Sequence, residues 1–234
     1  KAKINLSRKN LGPADVTLLT AWMQRPEVSA AVVNKVALSG NPLTGGDPTW
    51  NSAGTAKDVQ TDGKDISGVS ALFSSMTQVA ELDVSNCGLG PTATAELAKA
   101  VSSADAALAR VSVLSNPIGI DGADALIEVF EQNTNLRTLL GIDEGITEVN
   151  LSKKNVDPGQ AKILASEMKA GRAAAAVARL SLSGNKITGT TAIALSPSIS
   201  GRYRTSSPTH HLSLSVVYEN SIDLSEETCT LATK

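Results

Sequence analysis

Few residues of this chain have the types and spacing that support chemistry. The run "GNKITGTT" at residues 184–191 has the glycine spacing of a phosphate-cradling loop, whose second glycine is followed by a lysine that neutralises phosphate charge. Thr190 stands in the place of that lysine, so a nucleotide is not the expected ligand. Asp58, Asp62 and Gly63 have part of the spacing of a calcium loop. Gln60, Asp65 and Val69 occupy the positions that require a ligand, an aliphatic and a bidentate Glu, and a solvated acidic loop is the expectation there. His210 and His211 are the only histidines, and neighbours on a strand point to opposite faces, so one metal does not easily take both. No Ser, His and acid constellation assembles. The serines Ser7, Ser39, Ser85, Ser152, Ser183 and Ser215 all fall at one recurring position, which marks them as structural. The sequons at Asn5 and Asn150 fall on strands for the same reason, and glycosylation is not expected. The reading is of a protein with no catalytic residue, no cofactor and no metal ligand.

The elements that carry these residues are copies of one unit. Pairs of aliphatics two residues apart recur at Ile4/Leu6, Val36/Leu38, Leu82/Val84, Val111/Val113, Val149/Leu151, Leu180/Leu182 and Leu212/Leu214. Such alternation predicts half-buried strands. Three residues after each pair stand Lys9, Asn41, Cys87, Asn116, Lys154, Asn185 and Val217, and two further on Leu11, Leu43, Leu89, Ile118, Val156 and Ile187; Glu219 breaks the pattern in the last copy. Leu19, Leu97, Leu126, Leu164 and Leu195 follow, each with an apolar partner four residues later: Met23, Val101, Phe130, Met168 and Ile199. That spacing sets both side chains on one face of a helix. In the second copy the pair is Leu72/Met76, displaced by an insert. Pro13, Pro91, Asp121 and Pro158 suit helix starts. Each unit therefore reads as strand, turn and helix, and units of about thirty residues stack so that each buries its neighbour's apolar face.

These residues resemble the leucine-rich repeat family, with its LxxLxLxxN core followed by a helical segment. The long unit and the run "IGIDGADALIEVF" look like the ribonuclease-inhibitor type. The resemblance spans roughly residues 1–219. It implies an α/β solenoid, a horseshoe of about seven repeats, with parallel strands on the concave face and helices on the convex face. Lys9 and Lys154 stand where the family has Asn, which interrupts its side-chain ladder; Cys87 is an alternative that such repeats use.

The whole of 1–234 is expected to form a single leucine-rich-repeat domain, with an insert at 44–66, a second irregularity at 136–145 and an irregular C-terminal repeat and tail at 200–234. Neither end carries an evident polar cap, so further chain or a partner subunit is expected to cover them. Net charge is −2, charged residues are 19% and aromatics 3% of 234 residues. This balance gives no basic field for nucleic acid and little material for a ring-lined pocket. No apolar run is long enough for a membrane-spanning segment. Cys87 and Cys229 are about four strand spacings apart, roughly 19 Å, too far for a disulfide. Free thiols favour an intracellular, reducing setting.

A binding surface is then read from the register. The residues between the aliphatics of each pair are Asn5, Ala37, Asp83, Ser112, Asn150, Ser181 and Ser213; those before each pair are Lys3, Lys35, Glu81, Arg110, Glu148, Arg179 and His211. Trp50 is the one large apolar residue of the insert, whereas Trp22 fits a helix register. The candidate partner-binding residues are Trp50, Asn5, Asp83, Arg110, Glu148, Asn150 and Arg179. The expected function is a non-enzymatic scaffold for protein–protein interaction, binding a protein partner through the concave face and the insert. The alternative is a structural subunit of a large assembly. A regulator of a small GTPase, a role known for some repeats of this type, has no residue here that singles it out.

Overall fold

The structure is a computed structural model that describes residues 2–30, 33–45, 65–103, 107–182, 184–185 and 214–215. Trp50, the calcium-like residues Asp58 to Gly63, Ile187, Thr190, Leu195, Ile199, His210, His211 and Cys229 lie outside the described residues. The chain is α/β, and from β1 to β6 at least one helix separates each described strand from the next. In order they are β1 (Ala2–Asn5), α1 (Pro13–Met23), α2 (Pro26–Ala30), β2 (Val33–Ala37), α3 (Ser67–Ser75), β3 (Glu81–Asp83) and α4 (Pro91–Ser102). There follow β4 (Arg110–Ser112), α5 (Gly119–Gln132), β5 (Glu148–Asn150), α6 (Pro158–Ala170), a short 3-10 turn (Ala173–Ala176), β6 (Arg179–Ser181) and β7 (Leu214–Ser215).

Among the described residues all the ladders are parallel and join strands in chain order, β1 through β4 in one sheet and β5 through β7 in another. A parallel pair needs a crossover long enough to return the chain to its starting edge, and a helix supplies it. The register aligns Ile4 with Val36, Val36 with Leu82, Leu82 with Val111, and Val149 with Leu180, as the sequence spacing predicts. The last copy differs: Leu180 pairs with Leu214, two residues along from the expected Leu212. The run Leu-Ser-Leu-Ser reads the same after a shift of two, so spacing alone does not fix its register.

The core follows the repeat. Val36, Leu38, Leu43, Val84, Leu89, Val113 and Ile118 are fully buried, as are Leu97, Leu126 and Leu164 of the helices. One cluster of apolar side chains runs from Val16 to Leu182. Successive helices pack side by side, α1 on α3, α3 on α4, α4 on α5 and α5 on α6. The approach of α6 to α5 is close enough to need a glycine: a Cβ on Gly159 would lie 2.0 Å from the carbonyl oxygen of Gly119. Pro13, Pro91 and Pro158 each open a helix; α5 instead begins at Gly119, with Asp121 in its first turn. The acidic side chain suits the positive end of the helix dipole. Asp157 caps α6 by accepting from the Gln160 amide at 2.7 Å, and also accepts from Gly119 at 3.0 Å, tying two copies together.

Side chains satisfy the backbone of the turns, and the partners differ from copy to copy. Asn41 accepts from the amides of Lys9 and Leu11 and donates to the carbonyls of Leu6 and Leu38. Asn116 serves Cys87, Leu89, Val84 and Val113 in the same way, and Asn185 serves Lys154, Val156, Leu151 and Leu182. Each Asn thus closes the turn of the copy before it as well as its own. Cys87 takes over the task between the second and third copies: its thiol lies 3.2 Å from the carbonyl of Leu38, and the Asn41 amide approaches its sulfur. No Asn stands at Lys154, and a side chain from elsewhere makes up part of the donating half of the cap. Gln160, fully buried on α6, donates to the carbonyls of Val113 and Asn116 at 3.2 and 2.8 Å.

The irregularity at 136–145 separates the two sheets. Thr138 bridges to Arg110 in parallel sense and Leu140 to Ser112 in antiparallel sense. The segment begins as a strand beside β4 and then turns away at Gly141, whose φ of 73° favours glycine. Leu136, Leu139, Leu140 and Ile142 are buried, so the segment is part of the core. Among the described residues no helix is long and apolar enough to cross a membrane.

Candidate functional site

The site residues read from the sequence sit where alternation along a strand puts them, opposite the buried aliphatics. Pairing sets them in two rows. Lys3, Lys35, Glu81 and Arg110 are successive partners across β1 to β4, and Asn5, Ala37, Asp83 and Ser112 form the neighbouring row. On the second sheet Glu148 stands beside Arg179 and Asn150 beside Ser181. Arg110, Asp83 and Asn5 are therefore brought onto one sheet and Glu148, Asn150 and Arg179 onto the other. Asn5, Glu148, Asn150 and Arg179 are exposed, Asp83 and Arg110 half-buried. Trp50 lies outside the described residues.

Lys35 and Arg179 pair across neighbouring strands, and Arg110 pairs with the segment that follows β4. The Lys35 ammonium donates to Glu81 at 2.8 Å, Arg110 to Asp143 at 2.5 Å, and Arg179 to Glu148 at 2.6 Å. The hydrogen bond from Lys35 lowers the Glu81 carboxyl below its ordinary value, and Lys35, Arg110 and Lys3 add a Coulombic pull against its partial burial. Exposed ion pairs of this kind are worth about 0–1 kcal/mol each, so a partner that offers its own charges can rearrange them at low cost.

The second row is engaged locally. Asn5 accepts from the amide of Ser7, Asp83 from the amide and hydroxyl of Ser85, and Asn150 from the amide of Ser152. This recurring turn explains why small polar residues are repeated between the aliphatics. It leaves a face that is polar and of mixed sign.

Two sets of residues were not legible beforehand. Asp143 and Glu144, which bind Arg110 and Arg137, belong to the segment between the sheets, and no periodicity places that segment against β4. Gln160 and Glu167 are buried on α6 among Ile163, Leu164 and Met168. Their signal was present: two polar residues seven apart on the apolar face of a helix are exceptions that demand partners. At the other end of the chain, Leu18 and Trp22 on α1 are 70% and 42% exposed, so Trp22 is not the core residue its helix register suggests.

Among the described residues no group of His, Cys, Asp and Glu is placed to hold a metal ion. Cys87 is fully buried, and burial pushes its thiol up to about 12, which removes it from nucleophilic chemistry near neutral pH. A half-open groove of about 240 Å³ lies between α3 and α4, lined by Phe73, Met76, Thr77, Glu96, Lys99 and Ser103. Hydrogen bonds from Lys99 and Ser70 already occupy its one carboxylate, Glu96, and hold it below the ordinary value. No protein-family model matches the chain, and no curated protein matches it.

Proposed function

We propose that the chain is a leucine-rich-repeat solenoid of the ribonuclease-inhibitor-like type, and that it is a non-enzymatic scaffold whose strand face binds a protein partner. The observation that carries this reading is the in-register ladder. It sets Lys3, Lys35, Glu81 and Arg110 in one line and Asn5, Asp83 and Ser112 in the next, at about 4.8 Å per strand. Regularly spaced donors and acceptors over several strands suit a broad protein surface better than a small molecule, for which an enclosed and mainly apolar pocket is the usual site. The Asn caps support the repeat assignment, because each links one copy to the copy before it.

The experiment is affinity capture with the intact chain, followed by binding measurements on Arg110→Ala, Glu148→Ala and Trp50→Ala. Loss of binding at Arg110 or Glu148 supports the strand face as the site. Trp50→Ala tests the insert: a loss of at least about 1 kcal/mol in association with an unchanged melting temperature makes it an interface anchor. Retained binding in all three variants refutes the proposed surface.

The second reading is a structural subunit of a large assembly, favoured by the exposure of Leu18 and Trp22 one helical turn apart on α1. Apolar surface on a helix favours burial against a neighbour. Native mass measurement separates the two: a stable monomer supports the scaffold, and obligate co-purification with other chains supports the subunit.

A further inference from the structure

Three large apolar residues are exposed among the described residues, and two of them, Leu18 and Trp22, stand one turn apart on α1. The other helices show what that position does. A Cβ on Gly122 of α5 would meet Pro91 and Thr94 of α4, and Ala125 and Val129 follow Gly122 on the same face at i+3 and i+7. A Cβ on Gly159 of α6 would meet Gly119 and Ala123 of α5, and Ile163 and Glu167 follow it at i+4 and i+8. Aligned on Leu19, Leu126 and Leu164, these are the positions of Leu18 and Trp22. Val129, Ile163 and Glu167 are buried in the seam between successive helices, and Glu167 ends the ladder from β1 to β4 by accepting from the amides of Leu139 and Leu140. On α1 the opposite side is the one in use, where Pro13, Val16 and Thr17 crowd Gly68 of α3. Leu18 and Trp22 therefore present a seam surface with no described helix against it.

The surface continues in both directions as a stripe of four exposed residues, Asp15, Leu18, Trp22 and Arg25, spaced by three, four and three. The winding reaches Arg25, whose amide donates to the Trp22 carbonyl at 3.2 Å, and the stripe is about 15 Å long. It is acidic at one end, apolar in the middle and basic at the other. Turned end for end about residue 20 it matches itself: Leu18 falls opposite Trp22, and Asp15 opposite Arg25. No ion pair among the described residues uses either charge. Ala14 and Ala21, also exposed, flank the stripe, and small side chains at a contact let two helices come close. An ordinary copy of the repeat laid on β1 is a poorer fit. Its two turn amides would need the acceptor that Asn41 and Asn116 provide for the copies before them, and Lys9 has only donors to offer.

We propose that this stripe is a self-association surface, on which α1 packs antiparallel against α1 of a second copy of the chain. The contact is two-fold, so the same patch serves both copies and every interaction in it occurs twice. Leu18 and Trp22 of each copy supply the apolar centre, and two Asp15–Arg25 pairs close its ends. Rim charges of this kind fix register more than they add affinity. A single pair of short helices buries less than a standard interface, so the dimer is weak, with a Kd on the order of 10 µM. Two strand faces are then held in one particle, and a partner with a repeated motif would be engaged twice. Only this consequence rests on the proposed function; the dimer does not.

The test is sedimentation velocity of the intact chain over about 1 to 300 µM, a range that brackets the expected Kd. A reversible monomer–dimer equilibrium is expected. Trp22→Ala should weaken it about 30-fold or more, because symmetry counts the truncation twice, with the melting temperature unchanged. Arg25→Glu makes both ends of the stripe acidic and Asp15→Lys makes both basic, so each should weaken self-association about 10-fold. Mixed in equal amounts, the two variants should associate about as well as the native chain, since every 15–25 pair is again of opposite charge. Asp15→Lys also gives up the bond to the Gly12 amide; if it does not fold, Trp22→Ala and Arg25→Glu decide. A chain that stays monomeric throughout, a dimer indifferent to Trp22→Ala, or no recovery in the mixture of folded variants overturns the proposal. So does a monomer that binds a different chain through Trp22. Partner capture by the strand face is scored separately, so loss of the dimer leaves that reading standing.

Discussion

Removing Asn116 gives the sharpest measure of how much the turn caps matter. Its side chain makes four hydrogen bonds, with the Cys87 and Leu89 amides at 2.8 and 3.1 Å and with the Val84 and Val113 carbonyls at 2.8 and 2.9 Å. Asn116 is 1% exposed, and both Cys87 and Leu89 are fully buried. Asn116→Ala leaves two donors with no acceptor, and a buried group orphaned in this way costs about 1–3 kcal/mol. The carbonyls have weaker demands, so the expected loss is about 3–5 kcal/mol. Asn185 makes the same four bonds, but at a half-buried site where the amide of exposed Lys154 is open to water. Asn185→Ala should therefore cost only about 1–2 kcal/mol. Asn116→Asp keeps the acceptor but turns an oxygen toward two carbonyls, so at neutral pH it should do no better than Ala. Urea unfolding followed by circular dichroism, with the m-value checked for constancy, measures all three. An Asn116→Ala loss under about 1 kcal/mol, or one equal to that of Asn185→Ala, would refute the reasoning that burial sets the cost.

Three further outcomes are expected. Leu126→Ala should cost about 2–5 kcal/mol through lost core volume, since Leu126 is fully buried; a change under about half a kcal/mol by calorimetry would contradict the repeat register. Gly159→Ala, favourable by propensity in most helices, should destabilise by at least about 1 kcal/mol because its Cβ meets the Gly119 backbone oxygen, and a raised melting temperature would show that α6 can shift. In a Cys229→Ser background, Cys87 should react with a thiol reagent at pH 8 only as fast as the fold opens, because the buried thiol is pushed up to about 12. Rapid labelling of the folded chain would place the sulfur at the surface.

Local spacing was enough to fix the strands, the helices that carry Leu97, Leu126 and Leu164, and the pairing of β1 through β4 and of β5 with β6; it did not show that β4 and β5, successive copies, lie in separate sheets, nor the register of β7. What it fixed follows from local periods, two along a strand and 3.6 along a helix, which a buried face imposes on every copy. It also placed Asn5, Asp83, Arg110, Glu148, Asn150 and Arg179 opposite the buried aliphatics, for the same reason. Tertiary structure alone decided what happens where the period fails. Lys154 predicts a missing cap but not that Gln160 donates to the Val113 and Asn116 carbonyls. The run at 136–145 predicts an interruption but not that Glu167 ends the ladder or that Asp143 holds Arg110. The partners in these contacts are 27 to 47 residues apart in the chain, and no repeat constrains them. A repeating contact is encoded once per copy and can be read from spacing; a single contact between distant residues depends on where the packed backbone brings its polar groups.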